Sequence, residues 1–160
     1  EFFEVVADDK DTERAEYLQT MKSLVEQAQE FDGLTAIVCT EKSRVRWLAK
    51  QLEELFAAED MSDGTDDTVQ VDSTESSESH IGVKVLTSHD SLPAKGVVLL
   101  DLALAKGLEF DQVIVADAQE EVYKADGISR RRLYTALSRA MHHVIVVSQG
   151  KMTPLLSNLL

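Results

Sequence analysis

Two arginines near the end of this chain are the side chains whose type and spacing best suit a chemical task. Arg132 and Arg139 are seven residues apart, about two helical turns, in a segment, Ser129–Met141, whose periodicity predicts a helix. A guanidinium is planar and always charged, so such a pair could clamp the oxygens of an anion. A solvated basic helix face is the competing interpretation. The apolar stripe predicted to dock this helix on a sheet consists of Leu133, Ala136, Leu137 and Ala140.

A second segment whose residues suit a chemical task is Ala105–Asp111. It lies about 30 residues earlier and leads into an apolar strand. Lys106 and Gly107 form a predicted turn, in which glycine allows a close approach of the backbone to a ligand. Glu109 adds a carboxylate two residues later. A loop cation and a simple cap are the structural alternatives for Lys106 and Glu109, and the residues alone leave both interpretations open.

Short runs of Val, Ile and Leu alternate with amphipathic stretches along the chain, which is typical of a parallel sheet covered by helices on both faces. We therefore predict a doubly wound α/β fold, with ligand groups at the carboxyl ends of the strands. Phe2–Val6 is a short extended segment, and the predicted strands are Thr35–Cys39, Val83–Leu86, Val97–Leu100, Gln112–Ala116 and Val144–Val147.

Helical spacing of apolar residues predicts two further helices in the first third of the chain. The first has Asp11 or Thr12 as its candidate N-cap and ends at Gly33, and Thr40 can cap the second. Residues Met152–Leu160 could form a last helix. The apolar positions of the first two helices are Leu18, Met21, Val25 and Ala28, then Val45, Leu48, Leu52 and Leu55.

The net charge of −13 argues against a nucleic-acid partner until its distribution is considered. Residues 59–80 contain eight acidic residues and no Lys or Arg, whereas residues 81–160 hold nine Lys or Arg against eight Asp or Glu. We predict a flexible acidic loop at about 59–80, because its composition cannot bury enough apolar surface to offset chain entropy. The whole chain, 1–160, is otherwise predicted to form one domain that binds DNA poorly when alone.

Several classes of protein are excluded by composition. No apolar run reaches the roughly 20 residues of a membrane span and no signal peptide is present, so we expect a cytoplasmic protein without a membrane partner. Cys39 is the only cysteine, which excludes an internal disulfide, and the four histidines lack metal-ligand spacing with it. We therefore expect no metal site. The chain starts with Glu1 rather than Met, and we expect it to be part of a longer protein.

Ala105–Asp111 and Leu133–Ala140, which reads Leu-Tyr-Thr-Ala-Leu-Ser-Arg-Ala, resemble motifs V and VI of the UvrD/Rep family of superfamily 1 helicases. The resemblance implies the second, C-terminal RecA-like domain of such a motor, a P-loop NTPase-like fold with a mostly parallel sheet. The chain has no Gly-x-x-x-x-Gly-Lys-[Ser/Thr] phosphate loop of its own. The resemblance therefore implies that ATP and Mg²⁺ are bound mainly by a missing N-terminal RecA-like domain.

Residue roles follow from the same resemblance. Arg139 corresponds to the arginine that reaches the γ-phosphate of ATP, where it would stabilise charge on the transferred phosphoryl group. Glu109 is implied to contact the ribose or to couple nucleotide state to the DNA groove, next to Gly107 and Lys106. The candidates for a further phosphate contact are Arg132 and, from the motif IV region, Lys42 or Arg44, for which an exposed helix start is the alternative interpretation.

The stretch before motif V departs from the family. UvrD/Rep members carry Thr and His there, near the nucleic-acid backbone, and this chain has Asp-Leu-Ala-Leu at 101–104. This favours the helicase IV/HelD-like branch, which includes proteins that bind RNA polymerase. Our first hypothesis is a motor domain of an ATP-dependent DNA helicase or translocase, and the alternative is a nucleotide-gated module of an RNA-polymerase-associated factor. A stand-alone RecA-like binding protein is a third hypothesis.

Overall fold

The computed structural model describes residues 1–60 and 82–157, with the side chains of residues 59 and 60 excluded. The predicted acidic loop therefore lies almost wholly outside the described residues. The strands are β1 (Phe2–Val5), β2 (Leu34–Cys39), β3 (Val83–Val85), β4 (Gly96–Asp101), β5 (Phe110–Val115) and β6 (Ala140–Gln149). The helices are α1 (Lys10–Glu30), α2 (Lys42–Asp60), α3 (Leu102–Ala105) and α4 (Gly127–Leu137), followed by a 3₁₀ turn at Pro154–Leu156.

The six strands form one sheet in the order β1-β6-β5-β2-β4-β3, and every neighbouring pair is parallel. The central strand β2 is buried at all six positions, which explains its uninterrupted run of apolar and small residues. The predicted α/β class with helices on both faces is confirmed. The five predicted strands are also present, with shifts of a few residues at their ends, and the predicted extended segment Phe2–Val6 forms β1.

Each face of the sheet has its own apolar core. On one face α1 and α2 pack through side chains such as Met21, Val25 and Leu48 against Ile37 and Leu99. On the other face α3, α4 and the 3₁₀ turn cover the sheet. The members of this second core that matter most below are Phe110, Leu133, Ala136 and Tyr123, all buried. Within residues 1–60 and 82–157, every helix is too short or too polar to traverse a lipid bilayer.

The helix caps differ from the predictions. Asp9, rather than Asp11 or Thr12, caps α1, because its carboxylate accepts hydrogen bonds from the backbone N–H groups of both later residues. The same helix ends at Glu30, three residues before Gly33, and Phe31 is already extended. The predicted last helix is reduced to the 3₁₀ turn, and residues 158–160 lie outside the described part of the chain.

Of all the predicted helices, Ser129–Met141 differs most from the structure. α4 begins at Gly127, capped by Asp126, and ends at Leu137. The carbonyl of Arg139 accepts a hydrogen bond of 2.9 Å from the N–H of Phe110, so the backbone here already pairs with β5. Strand β6 consequently begins at Ala140, four residues earlier than predicted, and Arg139 lies in the turn between helix and strand.

Candidate functional site

Arg139 lies at the amino-terminal edge of the sheet, where β5 and β6 begin. Its Nε donates to the carbonyl oxygen of Thr135 at 3.2 Å, and its Nη1 donates to that of Leu108 at 3.4 Å. Nη2 lies 3.2 Å from the hydroxyl of Ser138. The guanidinium is half-buried and connects the end of α4 with the segment before β5. Its charge meets no carboxylate among residues 1–60 and 82–157, so it remains available to an anion.

The segment before β5 is the predicted turn. Gly107 has φ of +90°, a conformation that side chains disfavour, and no atom lies within 4 Å of the position of an added Cβ. Lys106, Gly107 and Glu109 are exposed, while Leu108 between them receives the contact from Arg139. The fold thus brings Lys106, Gly107 and Glu109 to the same edge of the sheet as Arg139.

The three other predicted site residues lie at the opposite, carboxyl-terminal edge. Arg132 and Arg44 line a crevice of about 710 Å³, and Lys42 lines a neighbouring one of about 410 Å³. A six-residue strand such as β5 spans roughly 20 Å between the two edges. The prediction that Arg132 and Arg139 form a pair on one helix is therefore wrong, because α4 ends at Leu137 and the turn that follows places Arg139 at the other edge.

Asp117 is a buried carboxylate in the larger crevice that was not predicted from the sequence. It lies two residues after the end of β5 and is 1% exposed. Its Oδ2 accepts a 2.7 Å hydrogen bond from the N–H of Thr40 and another from the Thr40 hydroxyl. Thr40 thus joins the end of β2 to the end of β5 instead of capping α2. An acidic residue immediately after the predicted strand Gln112–Ala116 was the available signal.

Arg44 reaches the same crevice from α2. Its Nη2 donates to Oε1 of Gln149 at 2.9 Å, and its guanidinium lies 3.9 Å from the centroid of the Trp47 ring. Trp47 stacks in turn on Tyr17, whose hydroxyl donates to the carbonyl oxygen of Ala116 at 2.6 Å. The Trp47 ring is thus part of the packing between α1 and α2.

Burial raises the pKa of Asp117, and the bonds from Thr40 and the positive charges of Arg44 and Arg132 oppose this shift. The native state holds the proton more tightly than the unfolded chain, so this group lowers stability as the pH rises from its ordinary value of 3.8 through the raised native pKa. An asparagine at position 117 has nearly the same shape and its amide oxygen can accept the hydrogen bonds from Thr40, but it carries no charge. We therefore expect the stability of Asp117→Asn relative to the unmodified chain, measured as the difference in free energy of unfolding, to increase as the pH rises from 4 to 7.

Urea unfolding of both proteins at several pH values checks this expectation. The exposed carboxylates Asp9, Asp90 and Asp126, whose pKa values are lowered by hydrogen bonds from Thr12, Thr87 and Ser129 respectively, are present in both proteins and cancel in the difference. A difference that stays constant with pH would show that Asp117 titrates as an ordinary carboxyl group.

Comparison with known proteins shows what part of the chain is similar to a known family. Residues 96–147, which run from β4 into β6 and include both motif segments, match the family model described as the UvrD-like helicase C-terminal domain. The fold with its six-stranded parallel sheet is also similar to that of a solved C-terminal domain of a possible DNA helicase. The predicted resemblance is therefore confirmed at this level.

One solved structure is similar over almost the entire chain. It is the C-terminal domain of a possible DNA helicase from Lactobacillus plantarum WCFS1, with 25% sequence identity and a TM-score of 0.67. The match covers 98% of this chain and 77% of that one. No curated protein matches the sequence.

Proposed function

We propose that this chain is the second RecA-like motor domain of an ATP-dependent DNA helicase or translocase, and that it supplies an arginine finger to an ATP site shared with an N-terminal RecA-like domain. The observation that carries the proposal is the position of Arg139, half-buried and without a carboxylate partner in the described ranges, beside the exposed turn at Gly107. The family-model match to residues 96–147 supports it.

The amino-terminal edge fits one side of a nucleotide site. Arg139 offers N–H donors held by carbonyl groups, Lys106 adds a second cation, and Glu109 offers a carboxylate of the kind that accepts ribose hydroxyls. Bound ATP would supply the phosphoryl group that is transferred, and Mg²⁺ would activate that group for transfer. Because the chain lacks a phosphate loop, these residues could orient a nucleotide but could not hold it alone.

Arg139 would act by electrostatic stabilisation. Its anchors, the carbonyl groups of Thr135 and Leu108, are neutral, so the positive charge stays uncompensated until an anion approaches. A preorganised charge of this kind lowers the barrier for transfer of a phosphoryl group more than it strengthens ground-state binding. Arg132, Lys42 and Arg44 are left out of the proposed ATP site because they line the opposite edge of the sheet.

The split-site proposal predicts no ATP hydrolysis by the isolated chain. The purified chain and the complete parent protein should be compared in a phosphate-release assay at saturating ATP and Mg²⁺, with and without DNA. We expect turnover only for the parent, because the residues that bind the triphosphate lie in its N-terminal RecA-like domain. ATP hydrolysis by the isolated chain would contradict the proposal if the activity stays with the chain through successive purification columns.

The segment before motif V favours a second candidate, a nucleotide-gated module of an RNA-polymerase-associated factor of the HelD-like branch. Asp101, which stands where the family has strand-contacting residues, caps α3 by accepting from the N–H of Leu104 at 3.0 Å. This carboxylate is buried and would not attract a phosphate backbone. A strand-separation assay run beside a polymerase pull-down, both with the parent protein, distinguishes the two candidates: unwinding supports the first, and polymerase capture without unwinding supports the second.

A further inference from the structure

A second groove lies above the ends of β3 and β4, and it shares no lining residue with the crevice of Arg132 and Arg44. Its walls come from the beginning of α2, from the end of β3 and from the short helix α3. The groove has a volume of about 410 Å³. This falls within the range of binding pockets, roughly 300–1,000 Å³.

Half of the residues that line this groove are apolar, namely Val45, Val85, Leu86, Ala103 and Leu104. Val85 and Leu104 are half-buried and Ala103 is exposed, so part of their surface is still in contact with water. Removing such surface from water is worth about 25 cal/mol for each Å². The groove therefore favours a ligand that can place an apolar group between α2 and α3.

The walls of the groove are held by hydrogen bonds within the chain. The N–H of Leu86 donates to the carbonyl oxygen of Leu99 at 2.9 Å. The N–H and the hydroxyl of Thr87 donate to Oδ2 of Asp90 at 2.7 Å and 2.6 Å. On the opposite wall, Asp101 caps α3. A ligand would therefore meet a groove that is already formed, and binding would require little additional ordering.

One side of the groove carries two positive charges, Lys42 and Arg46. They are four residues apart on α2 and lie on the same helix face, where like charges repel each other. Neither cation forms an ion pair within residues 1–60 and 82–157. Asp101 is the only acidic residue of the lining, and it is buried and already engaged as the cap of α3. This side of the groove therefore attracts carboxylates.

We propose that this groove binds an acidic peptide segment of a partner protein, with a large apolar side chain between α2 and α3 and flanking carboxylates at Lys42 and Arg46. Both cations are exposed, and exposed ion pairs contribute little individually. A small monocarboxylate would gain little from them, whereas a peptide brings several carboxylates together with its apolar anchor. The groove is separate from the proposed ATP edge, and either proposal can fail without the other.

A peptide is favoured over a nucleic-acid strand by the composition of the lining. Strand affinity comes largely from neutralising many phosphates, and Lys42 and Arg46 are the only cations among the lining residues. The apolar half of the lining suits an aliphatic or aromatic side chain, whereas a phosphate group would lose water there without gaining a partner.

Isothermal titration of the purified chain with acetylated and amidated hexapeptides tests the proposal. The probe reads Asp-Glu-Leu-Phe-Glu-Asp. One matched peptide replaces Leu-Phe by Ser-Ser, and the other replaces every acidic residue by Lys. We expect saturable binding of the probe and at least tenfold weaker binding of both matched peptides, because each of them lacks one of the two features that the groove selects.

Variants of the groove show where the probe binds. Arg46→Glu reverses an exposed charge, and Ala103→Gln adds bulk to an exposed part of the wall. Each should weaken binding of the probe at least fivefold. Arg131→Glu, which reverses the charge of an exposed arginine on α4, is the matched control and should change the affinity less than twofold. All three side chains are exposed, so their replacement should leave the folded core intact.

The proposal is overturned if the probe does not saturate the chain, or if Arg46→Glu or Ala103→Gln leaves its affinity unchanged. It is also overturned if the Ser-Ser peptide binds as tightly as the probe, since binding would then come from charge alone. A ten-residue oligothymidylate that binds more tightly than the probe and is weakened by the same two variants would identify a nucleic-acid groove and overturn the proposal as well.

Discussion

Replacement of Arg139 by alanine in the parent protein is expected to lower kcat for ATP hydrolysis by a factor of about 10³ or more, the magnitude known for arginine fingers. The dissociation constant for ATP should change far less, because the triphosphate would be held mainly by the N-terminal domain. The physical reason is that Arg139 carries a positive charge fixed by neutral carbonyl groups and facing no carboxylate in the described residues. Steady-state turnover and nucleotide binding, measured on the same preparations, check both parts.

Two companion variants make this result specific to the charge and position of Arg139. Arg139→Lys keeps a positive charge but loses the planar fork, and it should recover only a small part of kcat. Arg131→Ala removes an exposed arginine from the same helix and should leave kcat unchanged within a factor of two. If kcat of Arg139→Ala stayed within threefold of the parent value, Arg139 would have no part in the mechanism.

The largest expected effect on stability comes from Phe110. Its side chain is fully buried in the core beneath α3 and α4, and its N–H donates to the carbonyl oxygen of Arg139 at 2.9 Å. Phe110→Ala should lower the free energy of unfolding by about 3–5 kcal/mol, through lost burial and the cavity left behind. For a domain of this length that corresponds to a fall in Tm of roughly 10 °C. Urea denaturation and thermal scans of the chain measure it.

Phe110→Leu is the control for this change, since it keeps most of the buried volume and should cost much less. Tyr134→Ala is a second control, because Tyr134 is 72% exposed on α4 and its removal opens no cavity. A loss below 1 kcal/mol for Phe110→Ala would mean that the second core can collapse around the gap. It would also show that the Phe110 side chain contributes little to holding the start of β6 in place beside Arg139.

The strands were predictable because their signal is local. A parallel strand buried on both faces must consist almost entirely of apolar or small residues, and β2 and β4 show this directly in the sequence. The turn at Gly107 was equally readable, since its positive φ selects glycine. The motif segments around Glu109 and Arg139 could be recognised for the same reason, as short strings whose residue types carry the chemistry.

Helix ends were less predictable because residues far away in the sequence compete for the hydrogen bonds of the residues at these ends. The periodicity of Leu133, Ala136, Leu137 and Ala140 fits a continuous helix. The backbone instead leaves the helix after Leu137, and the hydrogen bond from Phe110 draws the next residues into the sheet. Thr40 is a comparable case, since a residue suited to a cap bonds instead with Asp117, 77 positions away.

Residue order and polarity were thus enough to establish the class of fold, its strands and the two segments that resemble helicase motifs. The grouping of charged side chains required the folded chain, because parallel strands send every strand start to one edge and every strand end to the other. Arg139 and Glu109 precede strands and share the first edge, while Arg44 and Arg132 border the crevice at the second. Asp117 acquires its importance only through burial between β2 and β5, an environment that distant parts of the chain create together.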